Sequence, residues 1–392
     1  MSKTKQQNGL YRKIAIVGAG MIDFGELFEK SFESMVEEAY LQALKSVNKG
    51  IDPAQIEAAW IGTLYPPQGN SGLLLSYATG LFEIPVTRVE NACATGSDAL
   101  RTACMAIAAG VYDVALVVGV EKMRDDGAGH IQRSAVKQLW GGRGVTMPAF
   151  FGLHATAYMN KYKATREDIA LVSVKNHHNG ALYPHAHYRF ECSVEEVLKA
   201  PFISYPLGLY DCCPVTDGAA ALIMCRADLA SRYTEKPVYV LGSGLATDTF
   251  FRGGDLSNFP ATKFAAQQAY EMAGVTSDEI DVAEIHDCFS ITELISYEDL
   301  GFAQPGQGAA LLKEKRVALE GEKPINPSGG LLAKGHPIGA TGVAQLVELF
   351  QQLRGEAGPV QVKNRPKLAL QHNIGIGRTA TGSVACVHIL GL

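Results

Sequence analysis

The sequence predicts an α/β protein made of two similar halves, the first enlarged by an insertion. Three observations carry that prediction. Short β-branched runs alternate with Ala-rich helical stretches from end to end, the pattern of parallel sheets covered by helices. The same series of elements occurs twice in the same order. Composition removes the alternatives, because 392 residues with 47% hydrophobic and 19% charged positions can bury a large core without a disulfide or metal staple. At about 150 residues per domain, the length holds two to three domain-sized pieces. Thirty-five basic against 40 acidic residues give a net charge of -5 with no basic run, which argues against nucleic acid or an anionic membrane as partner. The longest apolar runs, such as Val114 to Val120, fall short of the about 20 residues of a membrane span. The basic start, MSKTKQQNGLYRK, leads into a short strand and not into a signal core with a cleavage site. Eight cysteines in no paired pattern fit free thiols in a reducing compartment, so a soluble cytoplasmic protein is expected.

The elements follow in order. KIAIVGAG (Lys13 to Gly20) reads as a buried strand ending in a glycine turn. SFESMVEEAYLQALKSV (Ser31 to Val47) sets Met35, Ala39, Ala43 and Val47 at four-residue spacing, widened by Phe32, Val36 and Leu44, and is an amphipathic helix. IEAAWIGTL, VTRVENAC and DVALVVGVEKM are further strands. In the second half PVYVLGSG (Pro237 to Gly244) echoes the first strand, and Ala269 and Tyr270 echo Ala39 and Tyr40 in the helix after it. Ile280 likewise echoes Ile56 before the next strand. CATGSDALRTACMAIAAG and HPIGATGVAQLVELFQQLRG are matching helices, each opened by a polar-to-glycine turn, and DVALVVGVEKM and KLALQHNIGIG are the strands after them. The halves are placed at about 1–235 and 236–392. A segment rich in His, Gly, Tyr and Pro, about 123–211, reads as a loop domain inserted before the strand TDGAAALIMCRA, the kind of excursion that carries binding function.

Gly18, Ala19 and Gly20 begin like a dinucleotide fingerprint, but Asp23 stands where the third glycine belongs and no acid ends the next strand, so a tight turn is the reading. Cys93 follows a strand and opens a helix, whose unpaired N–H groups favour a thiolate and lower a cysteine pKa from about 8.5. Ala92, Ala94 and Gly96 leave room beside it, whereas Cys104 and Cys225 lie inside apolar runs as structural thiols. His336 opens the helix that the repeat matches to the one after Cys93. If the halves are related by approximate symmetry, the two helix ends face a common centre and pair a thiol with an imidazole, the arrangement that activates a sulfur nucleophile. HDCF (His286 to Phe289) and QHNIGIG (Gln371 to Gly377) place His286, Cys288, His372 and Asn373 at strand ends, where open α/β sheets bind ligands. As a zinc set, Cys93, His286, Cys288 and His336 lack any paired-knuckle spacing, and no metal is expected.

Together NACATGS, HDCF, GGLLAKGHPIGATG and QHNIGIG, in that order, resemble the thiolase superfamily over essentially the whole chain. The similarity is greatest to its sterol-carrier-protein-type branch and to acetyl-CoA acetyltransferase-like proteins. The resemblance implies a five-layered αβαβα sandwich of two pseudo-symmetric halves with an inserted loop domain. It implies that Cys93 carries the acyl group as a thioester, that His336 takes its proton, and that Cys288 is the second acid/base. One oxyanion hole would be formed by His286 with His336, the other by the backbone N–H groups of Cys93 and Gly375. His372, Asn373 and Gly377 would support the last loop, with Asn373 where many family members have a cysteine and Arg378 where this branch has glycine.

The activity implied is cleavage or formation of 3-ketoacyl-CoA, with coenzyme A as co-substrate and no permanently bound cofactor. This branch accepts bulky acyl chains, with aromatic-acid degradation one setting. Thr262 and Lys263 in FPATKFAA are candidates for CoA contact, with Thr262 as an ordinary helix N-cap the plain alternative. His154, His177, His178, His185 and His187 fall in the loop domain, as packing or surface residues with a share lining the acyl channel. Expected partners are acyl-CoA and CoA, a second copy in a homodimer or dimer of dimers, and a small zinc-ribbon/OB-fold protein. A ketoacyl synthase-like condensing enzyme and a non-catalytic thiolase-like scaffold subunit are the rivals. Cys288 stands against the first, and the intact Cys93, His336 and Cys288 set stands against the second.

Overall fold

The computed structural model describes residues 10, 12–66, 70–124, 146–249, 254–376 and 382–392. The first half runs through β1 (Ile14–Met21), α1 (Phe32–Ser46), β2 (Ala58–Gly62), α2 (Ser71–Thr79), β3 (Val86–Val89), α3 (Thr95–Ala108) and β4 (Val114–Glu121). Three helices, α4 (Met147–Tyr162), α5 (Arg166–Leu182) and α6 (Val194–Lys199), and a hairpin of β5 (Phe202–Ser204) and β6 (Leu207–Gly208) intervene before β7 (Gly218–Arg226). The second half begins with β8 (Val238–Thr249), α7 (Pro260–Ala273), β9 (Val282–Glu284), α8 (Ser290–Asp299) and α9 (Gly308–Lys313). It ends with α10 (Gly330–Ala333), α11 (Ile338–Arg354), β10 (Leu368–Ile376) and β11 (Gly382–Gly391).

The sheet order is β3-β2-β4-β7-β1-β8-β11-β10-β9. Its centre is a seam, since β1 and β8 meet only through Ala15–Tyr239 and Ile16–Val238. Outward from the seam the order is β7, β4, β2, β3 on one side and β11, β10, β9 on the other, so the duplicated sequence reappears as mirrored strand order. The sheets are mixed where the alternation alone suggests parallel ones. β7 and β11, the last strand of each half, run antiparallel to both neighbours, and only the outer pairs are parallel.

Five layers result. α1 packs on one face of the first half-sheet, and α7 and α8 pack on the far face of the second. α3 and α11 lie between the two half-sheets, touching strands of both. The sequences of these helices suit their positions. α1 buries one stripe, Phe32, Met35, Val36, Ala39, Tyr40 and Ala43, as an outer helix must, and Ser31 caps it by accepting from the Ser34 N–H. α11 is buried at every residue except Gln351, as a helix with sheet on both sides requires.

The Gly-x-Gly pairs of β1 and β8 seat the outer helices. A Cβ on Gly18 would lie 2.6 Å from the Ala43 carbonyl oxygen, and one on Gly242 would strike the Ala269 carbonyl oxygen. Gly20 meets Ala39 and Gly244 meets Ala265 in the same way. Packing therefore equates Ala43 with Ala269, one helical turn away from the Ala-Tyr match seen in the sequence. The glycine seats select a small residue at each contact and do not select the tyrosine. Thr262 is likewise not an N-cap, because α7 begins at Pro260 with Phe259 in the cap position.

Candidate active site

A cavity of about 1020 Å³ lies where the ends of α3 and α11, the turn after β9 and the helices preceding β7 converge. Cys93, His286, Cys288 and His336 all line it. At its centre the Cys93 sulfur and ring nitrogens of His286 and His336 lie within 4.8 Å of one another.

Cys93 occupies the turn between β3 and α3. Its neighbour Ala92 sits in the left-handed region at φ 49°, an unfavourable conformation for a residue with a Cβ. The turn is fastened by Thr95, whose hydroxyl accepts from the Asn91 N–H at 2.9 Å, and by the Asn91 side chain, which donates to Asp98 at 2.6 Å. The helix end does not dominate the thiol's acidity. Burial first, and then the nearby Glu121 carboxyl, push the Cys93 thiol up to about 12, against smaller lowering contributions from the backbone N–H groups of Ile376 and Cys93. Cys93 at rest is a thiol and not the thiolate that its place beside a helix suggests.

His336 precedes α11, and its ring is oriented by one hydroxyl. Thr341 Oγ1 donates to the Pro337 carbonyl at 3.0 Å, so its oxygen accepts from His336 Nδ1 at 2.7 Å. Nε2 then carries the free lone pair, and it has no protein partner. Burial holds this imidazole down to about 3, so it is neutral and able to accept a proton. His286 follows β9, packs edge-on against His336 with ring centroids 5.1 Å apart, and leaves both ring nitrogens without a protein partner. Burial, then the neighbouring His336 and His372, hold its pKa well below the ordinary value.

Cys288 lies on the cavity wall outside this close trio, its sulfur 3.9 Å from Thr292 Oγ1. Burial, then Cys213 and Cys93, push its thiol well up. The turn that carries His286 and Cys288 is held from behind. Asp287 accepts from the Leu331 and Leu332 N–H groups at 2.6 and 3.2 Å and from Asn176 at 2.6 Å. Asn326 accepts from the Ile285 N–H at 2.7 Å.

The other candidates fall into distinct places. His372 is buried behind His286, with Nδ1 accepting from the His286 N–H at 3.4 Å and Nε2 bonded to Thr262 Oγ1 at 3.0 Å. Asn373 donates to Gln345 at 2.9 Å and does not reach the cavity. Gly375 is in strand β10, paired with Val384, and not in a turn; a Cβ there would lie 3.0 Å from the Cys93 nitrogen. Beyond Gln371 the β9 side of β10 has no strand neighbour among the described residues, and at Gly375 that edge abuts the Cys93 turn. Thr262 is enclosed, and Lys263 is at the surface paired with Asp299 at 3.3 Å; neither borders the cavity. His154 is buried and bonded to the Leu256 carbonyl, whereas His177 does line the cavity, stacked 4.7 Å from Phe190. Gly377 and Arg378 lie outside the described residues.

Two features escaped the sequence reading. Glu121, at the end of β4, accepts from Thr63, from the Leu64 and Tyr65 N–H groups, and from the Gly339 N–H at 2.9 Å in the first turn of α11. It ties a first-half strand to the helix that His336 opens. A lone acid in the apolar run VALVVGVE was the available signal. The second feature is the glycine contact between the central helices, where a Cβ on Gly96 would lie 2.7 Å from the Gly339 carbonyl oxygen.

Among the described residues no helix is long and apolar enough to cross a membrane. Family models match both halves: "Thiolase, N-terminal domain" over residues 14–228 and "Thiolase C-terminal domain-like" over 242–391. An acetyl-CoA acetyltransferase of Methanothermobacter thermautotrophicus is 41% identical over 96% of this chain and 99% of its own length. Sterol carrier protein 2 of Bos taurus is 37% identical over 96% of this chain and 73% of its own. The benzoylsuccinyl-CoA thiolase subunit BbsB of Thauera aromatica is 32% identical over 94% of this chain and 96% of its own. The solved Ltp2-ChsH2(DUF35) aldolase shares the fold, with a TM-score of 0.83 at 23% identity over 97% of this chain and 98% of that one.

Proposed function

Because the chain belongs to the thiolase family, we propose that it is a CoA-dependent acyltransferase that cleaves or forms 3-ketoacyl-CoA through an acyl group carried on Cys93. The observation that supports this reading most is the close grouping of the Cys93 sulfur with two neutral imidazoles inside a roomy cavity. In cleavage, the Cys93 sulfur attacks the ketone carbon while its proton passes to His336 Nε2. The new oxyanion is held by the backbone N–H groups of Cys93 and Gly375. The carbon–carbon bond then breaks, and Cys288 gives its proton to the departing enolate carbon, whose thioester oxygen is held between His286 and His336. Coenzyme A next attacks the Cys93 thioester and gives its own proton to the Cys288 thiolate. His336 returns its proton to the leaving Cys93 sulfur. Every group ends as it began, and the reverse sequence forms the bond.

A resting thiol beside a neutral imidazole suits this scheme. Charge forms only as the substrate's carbonyl becomes an anion, when the oxyanion donors can compensate it. The cavity also supports a bulky, ring-bearing acyl chain. Phe151 and Phe289 stack 4.6 Å apart on its wall, and Tyr188, Phe190 and Tyr210 line it as well. A homo-oligomer is the partner arrangement in this reading, supported by exposed Tyr77 and Phe82 beside the edge strand β3. An accessory zinc-ribbon/OB-fold protein belongs to the same reading.

The test uses acetoacetyl-CoA and a series of bulkier 3-ketoacyl-CoAs with free CoA. Wild-type protein is expected to turn over at least one of them and to gain an acyl mass on Cys93 detectable by mass spectrometry. Cys93→Ala is expected to lose both. Cys288→Ala should still become acylated but lose exchange of the α-proton, which separates this reading from a ketoacyl synthase-like one. Acylation absent from the wild-type protein refutes the reading and leaves a scaffold role.

A further inference from the structure

We propose that the resting centre is also a reversible binding site for a thiophilic divalent cation of the Zn²⁺ class, held by the Cys93 sulfur, one ring nitrogen of His286 and His336 Nε2, with the nucleophile blocked while the ion is bound. The linear spacing of these residues concealed the set, because folding brings it together from three distant segments of the chain.

Three observations point the same way. The donor atoms all lie within 4.8 Å of one another. Bonds of roughly 2.0–2.3 Å to a tetrahedral zinc put neighbouring donors about 3.3–3.8 Å apart, so the set has only to draw in by about 1 Å to hold the ion. The two imidazoles are also uncommitted. Both nitrogens of His286 and Nε2 of His336 are buried without a protein partner, at 0% and 3% residue exposure. A buried ring nitrogen without a protein partner is costly to leave unmet, and a cation satisfies it. Finally, the second ring nitrogen of His336 is fixed by Thr341 Oγ1 at 2.7 Å, the outer bond that aims a ligating imidazole.

A sulfur with two imidazoles leaves the fourth position of a tetrahedron open toward the cavity, where water completes it. On binding, the S–H bond breaks, its proton leaves to solvent and the sulfur–metal bond forms, with no change of oxidation state. Cys288 lies outside the trio and takes no part. This inference does not rest on the acyltransferase reading, since none of its readouts requires turnover.

The full-length protein, stripped with EDTA, is titrated with Co²⁺ under anaerobic conditions, and Zn²⁺ binding is followed by equilibrium dialysis. One equivalent should bind, with a sulfur-to-cobalt charge-transfer band and the intense visible bands of four-coordinate Co²⁺. Zn²⁺ should slow alkylation of Cys93 by iodoacetamide at least about tenfold, and EDTA should restore it. Cys93→Ala should abolish the charge-transfer band, and His286→Ala and His336→Ala should each weaken binding at least about tenfold. Cys212→Ala and Cys213→Ala should keep the band, and unchanged melting of the variants shows that folding is intact. A charge-transfer band that survives Cys93→Ala, or its absence from the wild-type protein, overturns the proposal. Metal binding without acylation of Cys93 would refute the acyltransferase reading and leave this one standing.

Discussion

Cys93 and His336 illustrate how far single residues were legible. Their positions before two matching helices foretold that a thiol and an imidazole meet, because duplication with symmetry fixes where helix ends point. Their ionisation was not legible. The helix end favours an anion by only about 0.3–1 kcal/mol at an exposed site, and the buried surroundings and Glu121 outweigh it. One consequence is measurable. Because the thiol titrates near 12, alkylation of Cys93 by iodoacetamide should accelerate about tenfold per pH unit from pH 6 to 10. A plateau below pH 8 would show a preformed thiolate pair. Thr262 marks the opposite case. Its motif drew attention to CoA contact or a helix cap, but the hydroxyl bonds buried His372, which accepts from the His286 backbone. A sequence does not reveal which face of the first turn of a helix points inward.

At the scale of elements, the repeat gave the order in which like elements recur, whereas the layers were implied by the family resemblance, and strand order and seam became visible only in the folded sheet. It misjudged the register of the outer helices by one turn, because matching letters cannot report where a strand glycine meets a helix backbone. The glycines between α3 and α11 are the sharper instance. Ala is the better helix former by roughly 1 kcal/mol, yet Gly96→Ala should destabilise the protein by about 1–3 kcal/mol, since the added Cβ meets the Gly339 carbonyl oxygen at 2.7 Å. Thermal unfolding checks this against Met105→Ala, at an exposed site on the same helix, which should leave the melting temperature unchanged. Equal melting of Gly96→Ala and wild type would show that the two helices can separate without cost.

The molecule as a whole carries its buried ionisable groups as a pH signature. Burial holds His154, His177 and His388 down to about 4, and His336 and His372 down to about 3. Each takes up a proton on unfolding below about pH 6.5, so the stability they contribute is present above that value and lost as pH falls toward 4. Asp299 and Glu348 act in the other direction. Burial raises both carboxyls to about 7, so their contribution is present at low pH and lost as pH rises through 7. His187 and His286 are lowered as well, and Glu121 and Asp287 raised, so seven imidazoles stand against four carboxyls. Melting temperature should therefore peak near pH 6.5, fall steeply toward pH 4 and fall slightly toward pH 7, with Glu348→Gln flattening the shallow side. A melting temperature that climbs from pH 6.5 to 4.5 would refute this balance.

Gly96 and Gly339 meet backbone to backbone, and this sets what evolution can vary. Two helices in such contact form a rigid joint, so the Cys93 sulfur and the His336 ring cannot drift apart when surface segments change. Phe190, Ile203, Tyr210 and Leu209 sit on the segments before β7, away from that joint, and still border the cavity. Remodelling them would reshape what enters while Cys93 and His336 keep their spacing, so new tastes in substrate can be acquired one rim residue at a time.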